Sequence, residues 1–183
     1  MLLAEDETDL RLFPPLHAGW AKRGQPAPVE IRGSNAKRVL FGCINILTGH
    51  RLFLVRRRQR GIDYEAFLDQ IREHYRGWHV ALLLDEDSSH TAGDSQSLAD
   101  DYEIELLWLP KRSPHLNPMD HLWRHGKEVM LANYQYDSID MQANRFIDYL
   151  ANLPAREALQ KAGVLSERLL AEGLVSKTFC GST

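Results

Sequence analysis

The chain has 183 residues, 44% of them hydrophobic and 26% charged, and a formal net charge of −3. This length and composition predict one globular domain with its own core, and two cysteines are too few for a disulfide framework. No apolar run approaches the ~20 residues that span a bilayer, and the acidic N-terminus is unlike a signal peptide, so we expect a cytoplasmic protein without a membrane partner.

The first third of the chain predicts strands around a long loop. Residues 2–7 have the pattern of a short strand that ends in acids. Residues 13–35 are rich in Pro and Gly and predict a long loop or a loose hairpin. Residues 38–47 and 51–56 predict two strands joined by a turn, which gives a β-hairpin.

A strand–helix–strand unit is predicted next. Asp63 is suited to cap a helix over 64–75. The apolar runs 79–84 and 104–109 are typical of strands that are buried on both faces. A helix over 95–102 lies between them, so the two strands are expected to run parallel, with a right-handed crossover.

Helices are predicted for the rest of the chain. Asn117 is a good N-cap and Pro118 suits a first helical position, so a helix should begin there. Its predicted apolar face consists of Met119, Leu122, Trp123, Val129 and Met130. A second amphipathic helix is predicted over 138–151, and the chain from 155 onward is expected to be helical at first. The fold class is therefore α/β, a mixed sheet in the ribonuclease H style flanked by helices.

The charged residues are clustered, although the net charge argues mildly against nucleic-acid binding. Basic clusters occur at 37–38, 56–60 and 111–112, and acidic clusters at 5–7, 85–87 and 100–105. This arrangement fits a metal centre flanked by phosphate contacts, and it fits scattered solvated charge equally well. The basic run 55–60 in particular suits phosphate contacts or an exposed strand end.

Three acids stand at the ends of predicted elements. Asp6 lies on or just after the first strand, Asp85 ends a buried strand, and Asp120 lies in the first turn of the helix after Pro118. Phosphoryl transfer between nucleic-acid strands uses two divalent ions about 3.5–4 Å apart, and hard Mg²⁺ prefers carboxylate oxygens. Simpler roles are also open: a solvated charge for Asp6, a turn cap for Asp85, and a helix-capping acid for Asp120.

A motif around the third acid closely resembles a known family. The stretch LWLPKRSPHLNPMDHLW, residues 107–123, is similar to the signature of the mariner-like superfamily of DDE/D transposases. The closer match is the bacterial insertion-sequence branch usually called IS-six-thirty. The Leu-Asn-Pro element at 116–118, followed by Asp120 and Trp123, is highly specific.

The segments around the other two acids resemble the same family. The segment LLLDEDSSHTA, residues 82–92, is similar to the family's strand that ends in Asp and is followed by His five residues later, here Asp85 and His90. The segment that begins AEDETDL matches the family's Asp-Glu pair at Asp6-Glu7, followed by an aromatic, basic loop. The resemblance covers about 1–150, and we predict a catalytic domain at 1–153 and a helical tail at 154–183.

Three features depart from the family pattern. Asp120 stands where bacterial members commonly have Glu, although mariner itself uses Asp. Glu86 stands where Asn is frequent. Met1 lies five residues before Asp6, whereas family members carry helix-turn-helix domains upstream, so we expect a split-frame product or a truncated copy.

The resemblance implies a transposase catalytic domain that performs metal-dependent DNA cleavage and strand transfer. Asp6, Asp85 and Asp120 would be the catalytic residues and hold two ions, Mg²⁺ or Mn²⁺. The implied partners are DNA, as transposon ends and a TA target, and a second copy of the chain in a homodimeric synaptic complex. Candidate accessory residues are Glu7, His90 and Asn117, and candidate DNA-binding residues are Trp20, Lys22, Arg23, Lys111 and Arg112.

Other interpretations stay open. A catalytically silent transposase remnant would act as a DNA-binding or regulatory partner. A ribonuclease H-type nuclease shares the fold but does not explain the Leu-Asn-Pro element. His90 either orients Asp85, contacts a phosphate or merely starts the next helix. His121 and His125 have a spacing that suits zinc, but the Glu of the zinc-protease motif is missing, so surface or packing roles are favoured.

Overall fold

Five strands form one mixed sheet in the computed structural model, which describes residues 1–25 and 27–165. The strands are β1 (Leu2–Arg11), β2 (Lys37–Asn45), β3 (Arg51–Arg56), β4 (Val80–Leu84) and β5 (Ile104–Trp108). Their order across the sheet is β3-β2-β1-β4-β5, which makes β1 the central strand. The first three strands are antiparallel neighbours, whereas β4 and β5 run parallel to β1.

Helices cover both faces of this sheet. They are α1 (Gly61–His74), α2 (Gly93–Asp101), α3 (Pro118–Met130), α4 (Ile139–Asn152) and α5 (Ala155–Lys161), with a 3₁₀ turn at Pro114–Leu116. Side chains alternate along β1, so Ala4 and Leu10 pack with α3, α4 and α5, whereas Leu3 packs with α1 and α2. None of the helices in the described ranges is long and apolar enough to cross a bilayer.

Glycines allow α3 to lie close to its neighbours. A Cβ at Gly42 on β2 would lie 2.6 Å from the Trp123 ring of α3. A Cβ at Gly126 on α3 would lie 2.9 Å from the Phe146 ring of α4. Because real Cβ contacts are longer than this, both positions favour glycine, and the close packing fixes where the first turn of α3 meets β1.

The predicted strands and helices are present, but their ends are shifted and some predicted details are wrong. β1 extends to Arg11 because β2 pairs with it along that length. Asp63 is not the cap of α1: Arg60 occupies that position, and the buried Asp63 carboxylate binds Arg60 and Arg56 instead. β5 is not buried on both faces, because it is an edge strand of the sheet and only Ile104 is fully buried.

The apolar face of α3 is narrower than predicted. Val129 is 54% exposed, because the buried stripe of α3 consists of Met119, Leu122, Trp123 and Gly126, and Met130 continues it partly buried. The predicted tail begins with α5, whose Ala158 and Leu159 are buried in the same core. The rest of the tail, 166–183, lies outside the described residues, and the domain boundary at 153 stays a prediction.

Candidate metal-binding active site

Three carboxylates from distant parts of the chain line one open cleft at the sheet edge. Asp6 lies within β1, Asp85 directly follows β4, and Asp120 lies in the first turn of α3. The cleft has a volume of about 530 Å³. Its other walls are formed by Glu86, Asp87, Asn117 and the segment 109–114. Asp85 follows the carboxyl end of β4, which is where such sheets place ligand sites, and Asp6 lies two residues beyond the last β1 position paired with β4.

Asn117 joins the start of α3 to β1. Its side-chain oxygen accepts a hydrogen bond from the Met119 amide at 2.9 Å, which caps the helix. Its side-chain amide donates to the backbone oxygen of Glu5 at 2.7 Å. Asn117 is almost completely buried. One side chain therefore fixes the helix start beside the residue that precedes Asp6, which gives the Leu-Asn-Pro element a structural reason.

The electrostatic environment of Asp6 favours a bound cation. Burial, together with the negative charges of Glu7, Asp120 and Asp85, raises the pKa of Asp6 to about 8. A carboxyl group in this position holds a proton at neutral pH unless a positive charge is supplied. Hard oxygen ligands that repel one another in this way suit Mg²⁺ or Mn²⁺.

Asp85 and Asp120 have different hydrogen-bond partners. Asp85 accepts from the Asp87 amide at 3.1 Å, so it does cap the following turn while its side chain faces the cleft. Hydrogen bonding from His90 lowers the pKa of Asp85, although partial burial opposes this. Asp120 accepts from Arg124 at 2.8 Å. Asp120 does not reach back to the cap amide, because the Asn117 amide donates to Pro114 instead, but it lies in the first turn of α3, where an acid is favoured by the helix dipole.

A second polar cluster lies on the opposite face of β1. Glu5 and Glu7 alternate with Asp6 along the strand, and they face the buried ring of His90. His90 Nε2 lies 2.9 Å from Glu7 Oε1 and 3.4 Å from Glu5 Oε2. Burial lowers the pKa of His90, but Glu5, Asp85 and Glu7 together raise it to about 12. The three side chains place potential ligand atoms within 4.8 Å of one another.

Glu5 is a site residue that the sequence analysis missed. It is fully buried, and neither of its carboxylate oxygens has a hydrogen-bond partner among the described residues. Burial raises its pKa well above the usual range, although His90 opposes this. Strand alternation was the available signal, because Glu5 lies two residues from Leu3 and therefore shares its buried face of β1.

The predicted DNA-binding residues fall into two groups. Lys111 and Arg112 line the cleft, and Lys111 forms an ion pair with Glu86 at 3.0 Å. Trp20, Lys22 and Arg23 lie in the loop between β1 and β2, are exposed, and do not line the cleft. The structure therefore brings only the first group to the three acids.

Two side-chain amides anchor that loop at its ends, and sequence reasoning did not find them. Asn133 exchanges two hydrogen bonds with the backbone of His17, at 2.9 and 3.0 Å. Gln135 does the same with Arg32, at 2.7 and 2.8 Å. Between these anchors, Trp20 is fully exposed.

The remaining sequence candidates have local partners. His121 bonds the backbone oxygen of His115 at 2.8 Å, and His125 bonds the Tyr149 hydroxyl at 2.9 Å, so this pair shares no ligand. In the basic run, Arg56 and Arg60 pair with Asp63, whereas Arg57 and Arg58 are exposed. Arg57 and Arg58 fit the expectation of a solvated strand end, and Arg60 is exposed as well although it is paired.

Comparisons with known proteins find similarity over most of the chain. A family model described as DDE superfamily endonuclease matches residues 1–142. The insertion element IS630 uncharacterized 39 kDa protein of Shigella sonnei is 27% identical over 137 residues, which cover 74% of this chain and 40% of that protein. The transposable element Tcb2 transposase of Caenorhabditis briggsae is 23% identical over 154 residues, which cover 73% of this chain and 55% of that protein. The chain thus spans about half the length of these relatives.

Solved structures share the fold. A Mos1 transposase paired-end complex with left transposon end matches with a TM-score of 0.72 at 19% identity, covering 91% of this chain and 52% of that chain. The catalytic domain of Mos1 mariner transposase matches with a TM-score of 0.63 at 17% identity, covering 91% and 78%. The predicted ribonuclease H-like fold is confirmed.

Proposed function

Because this chain belongs to the DDE superfamily endonucleases, in the branch of the IS630 insertion element and the mariner transposases, we propose that it cuts DNA and joins the cut strands to a new site. The observation that carries the proposal is the single cleft lined by Asp6, Asp85 and Asp120. This set of hard, mutually repelling oxygen ligands fits Mg²⁺ or Mn²⁺. We assign the three carboxylates as the groups that hold two such ions.

The chain's own residues supply binding and orientation. When bound, the two ions would activate the attacking oxygen and stabilise the charge on the leaving oxygen. Asp6, Asp85 and Asp120 would hold them on three separate elements, so no nucleophilic side chain is needed. Lys111 and Arg112 on the cleft wall would contact phosphates and position the strand without selecting its sequence.

Related transposases suggest a substrate and an assembly for this chain. Solved Mos1 structures are described as a paired-end complex and a strand transfer complex, and one of them contains a left transposon end. We propose that this chain likewise acts on transposon ends and a TA target as a homodimer. The silent-remnant alternative is not favoured, because all three acids are present and line one cleft.

The decisive experiment is metal-dependent nicking of supercoiled DNA by the purified chain. We predict that Asp120→Asn reduces nicking to the background level because it removes a metal ligand. Loss of the acid near the helix end should cost at most about 1 kcal/mol of unfolding free energy.

The matched control is Asp9→Asn. Asp9 is an acid on the same β1 strand, half-exposed and paired with Lys37 at 2.7 Å, and its replacement should leave nicking unchanged. Nicking by Asp120→Asn at the wild-type rate would refute the assignment. An RNA–DNA hybrid that is cut faster than duplex DNA would instead favour a ribonuclease.

A further inference from the structure

The backbone pairing between β1 and β4 ends before the two strands reach their acids. The register runs through Leu2↔Ala81, Leu3↔Leu82 and Ala4↔Leu83, and in the described residues it continues no further. Asp6 and Asp85 therefore each lie two residues beyond the last paired position. On its other side β1 stays paired with β2 as far as Arg11, so only the β1–β4 side is open at the level of the acids.

His90 crosses this open gap. Its Nδ1 lies 3.0 Å from the backbone oxygen of Asp85 and 3.3 Å from the Asp85 carboxylate. Because a carbonyl oxygen only accepts hydrogen bonds, Nδ1 carries a proton and donates it. On the far side of the ring, Nε2 lies 2.9 Å from the Glu7 carboxylate on β1. One imidazole thus connects the residue after Asp6 with Asp85 itself.

The bridge is held on all sides. His90 is fully buried, and the Tyr64 ring packs against it with a centroid separation of 4.6 Å. The Ser89 hydroxyl bonds the same oxygen of Glu7 at 3.2 Å. The buried Glu5 carboxylate faces Nε2 at 3.4 Å. The ring is enclosed, and the Glu7 carboxylate that it contacts is itself held by Ser89, so the imidazole spans a defined distance between the two strands.

We propose that His90 is a positioning residue. It bridges Glu7 and Asp85 on the face of β1 opposite the cleft, and this bridge holds Asp6 and Asp85 at the separation needed to bind the same ions. This inference rests on the proposed function, because it concerns how that site binds metal. Groups behind metal ligands commonly contribute 10–100-fold to metal affinity or activity. The 2.9 Å contact between Nε2 and Glu7 is a direct hydrogen bond, which favours this bridge over a further cation held by Glu5, Glu7 and His90.

The test divides the bridge into its two halves. His90→Asn keeps a donor near the position of Nδ1 but is too short to reach Glu7, whereas His90→Gln can reach Glu7 but loses the contact with Asp85. Mn²⁺ binding is measured by calorimetry, and DNA nicking is measured across a range of Mn²⁺ concentrations. We expect both variants to bind Mn²⁺ 10–100-fold more weakly and to recover much of the wild-type maximal rate at high Mn²⁺. A role in folding alone would lower thermal stability without changing the Mn²⁺ dependence.

Two further variants provide rescue and control. Glu7→Gln retains an oxygen that accepts from Nε2, so its Mn²⁺ affinity should fall less than that of either His90 variant. Ser95→Ala removes a buried hydroxyl on α2 that has no hydrogen-bond partner in the described part of the chain. It should leave both the affinity and the nicking rate at wild-type values.

The outcomes are distinct. Wild-type Mn²⁺ affinity in both folded His90 variants would overturn the positioning role while leaving the proposed function intact. An anomalous Mn²⁺ peak bonded to His90 Nε2 in a crystal would overturn it too, because the ring would then be a ligand. A wild-type chain that neither binds Mn²⁺ nor nicks DNA would refute the proposed function, and the positioning role with it.

Discussion

Asp6 is the residue at which the requirements of stability and of metal binding conflict. Burial and the charges of Glu7, Asp120 and Asp85 together raise its pKa to about 8. Without a cation, the folded chain must either protonate this carboxyl group or tolerate an unpaired negative charge. A bound divalent ion removes the conflict, which is why strongly shifted carboxyl groups often mark functional sites.

We predict that Asp6→Asn makes the metal-free chain more stable at pH 8. A raised pKa means that the folded state binds more protons than the unfolded state between about pH 4 and pH 8. The free energy of unfolding of the wild type therefore falls as the pH rises through this window, whereas the Asn variant lacks that contribution.

One pKa unit corresponds to about 1.4 kcal/mol, so a gain of at least about 1 kcal/mol is expected at pH 8 and a smaller one near pH 4. Denaturant unfolding in the presence of a chelator measures both values. A variant that is less stable than the wild type at pH 8 would contradict the environment assigned to Asp6.

At the scale of elements, the position of α3 relative to β1 depends on a buried amide and on a close ring contact. Asn117 caps α3 through its oxygen and bonds the Glu5 backbone oxygen through its nitrogen. The close approach of Trp123 to Gly42 fixes the same helix further along. Two contacts of different kinds thus determine where Asp120 lies relative to Asp6.

We predict that Asn117→Ala destabilises the chain by about 2–4 kcal/mol. Loss of the helix cap contributes about 1 kcal/mol. The backbone oxygen of Glu5, which would lose its bond to the Asn117 side chain, contributes about 1–3 kcal/mol. Ser138→Ala is the matched control, because Ser138 caps α4 through a bond to Met141 at 3.1 Å. That cap is exposed, so its loss should cost only about 1 kcal/mol. Equal losses in the two variants, measured by denaturant unfolding, would show that the bond to β1 contributes nothing.

At the scale of the whole molecule, the charge distribution suits phosphate contacts more than sequence recognition. The net charge is −3, yet Lys111 and Arg112 lie on the cleft wall, and Arg57 and Arg58 are exposed after β3. Phosphate contacts position a protein on DNA and carry no sequence information. General attraction to DNA is weak when the overall charge is negative.

We therefore predict that these 183 residues bind DNA weakly and with little sequence preference. Because phosphate contacts release counterions, the logarithm of the association constant should fall linearly with the logarithm of salt concentration. The measurement is a titration at two salt concentrations with the terminal repeat of the encoding element and a scrambled duplex of equal length. Tight binding with a strong preference for the repeat would reveal a sequence reader within the chain.

The sequence by itself determined the element order, the fold class and the family. Period-two and period-3.6 patterns identified the strands and helices, and the Leu-Asn-Pro element identified the helix that carries Asp120. These features are local, so they can be read from neighbouring residues. The errors at Asp63 and Val129 occurred where tertiary partners overrode a local preference.

Only the tertiary structure decided which residues share a surface. Asp6 and Glu7 are adjacent in sequence, but strand alternation sends Asp6 to the cleft and Glu7 to His90 on the opposite face. That β4 lies beside β1, and that the β1–β4 ladder stops at Ala4, follows from packing across the whole sheet. The His90 bridge and the burial of Glu5 depend on contacts between residues more than 80 positions apart, which no local pattern encodes.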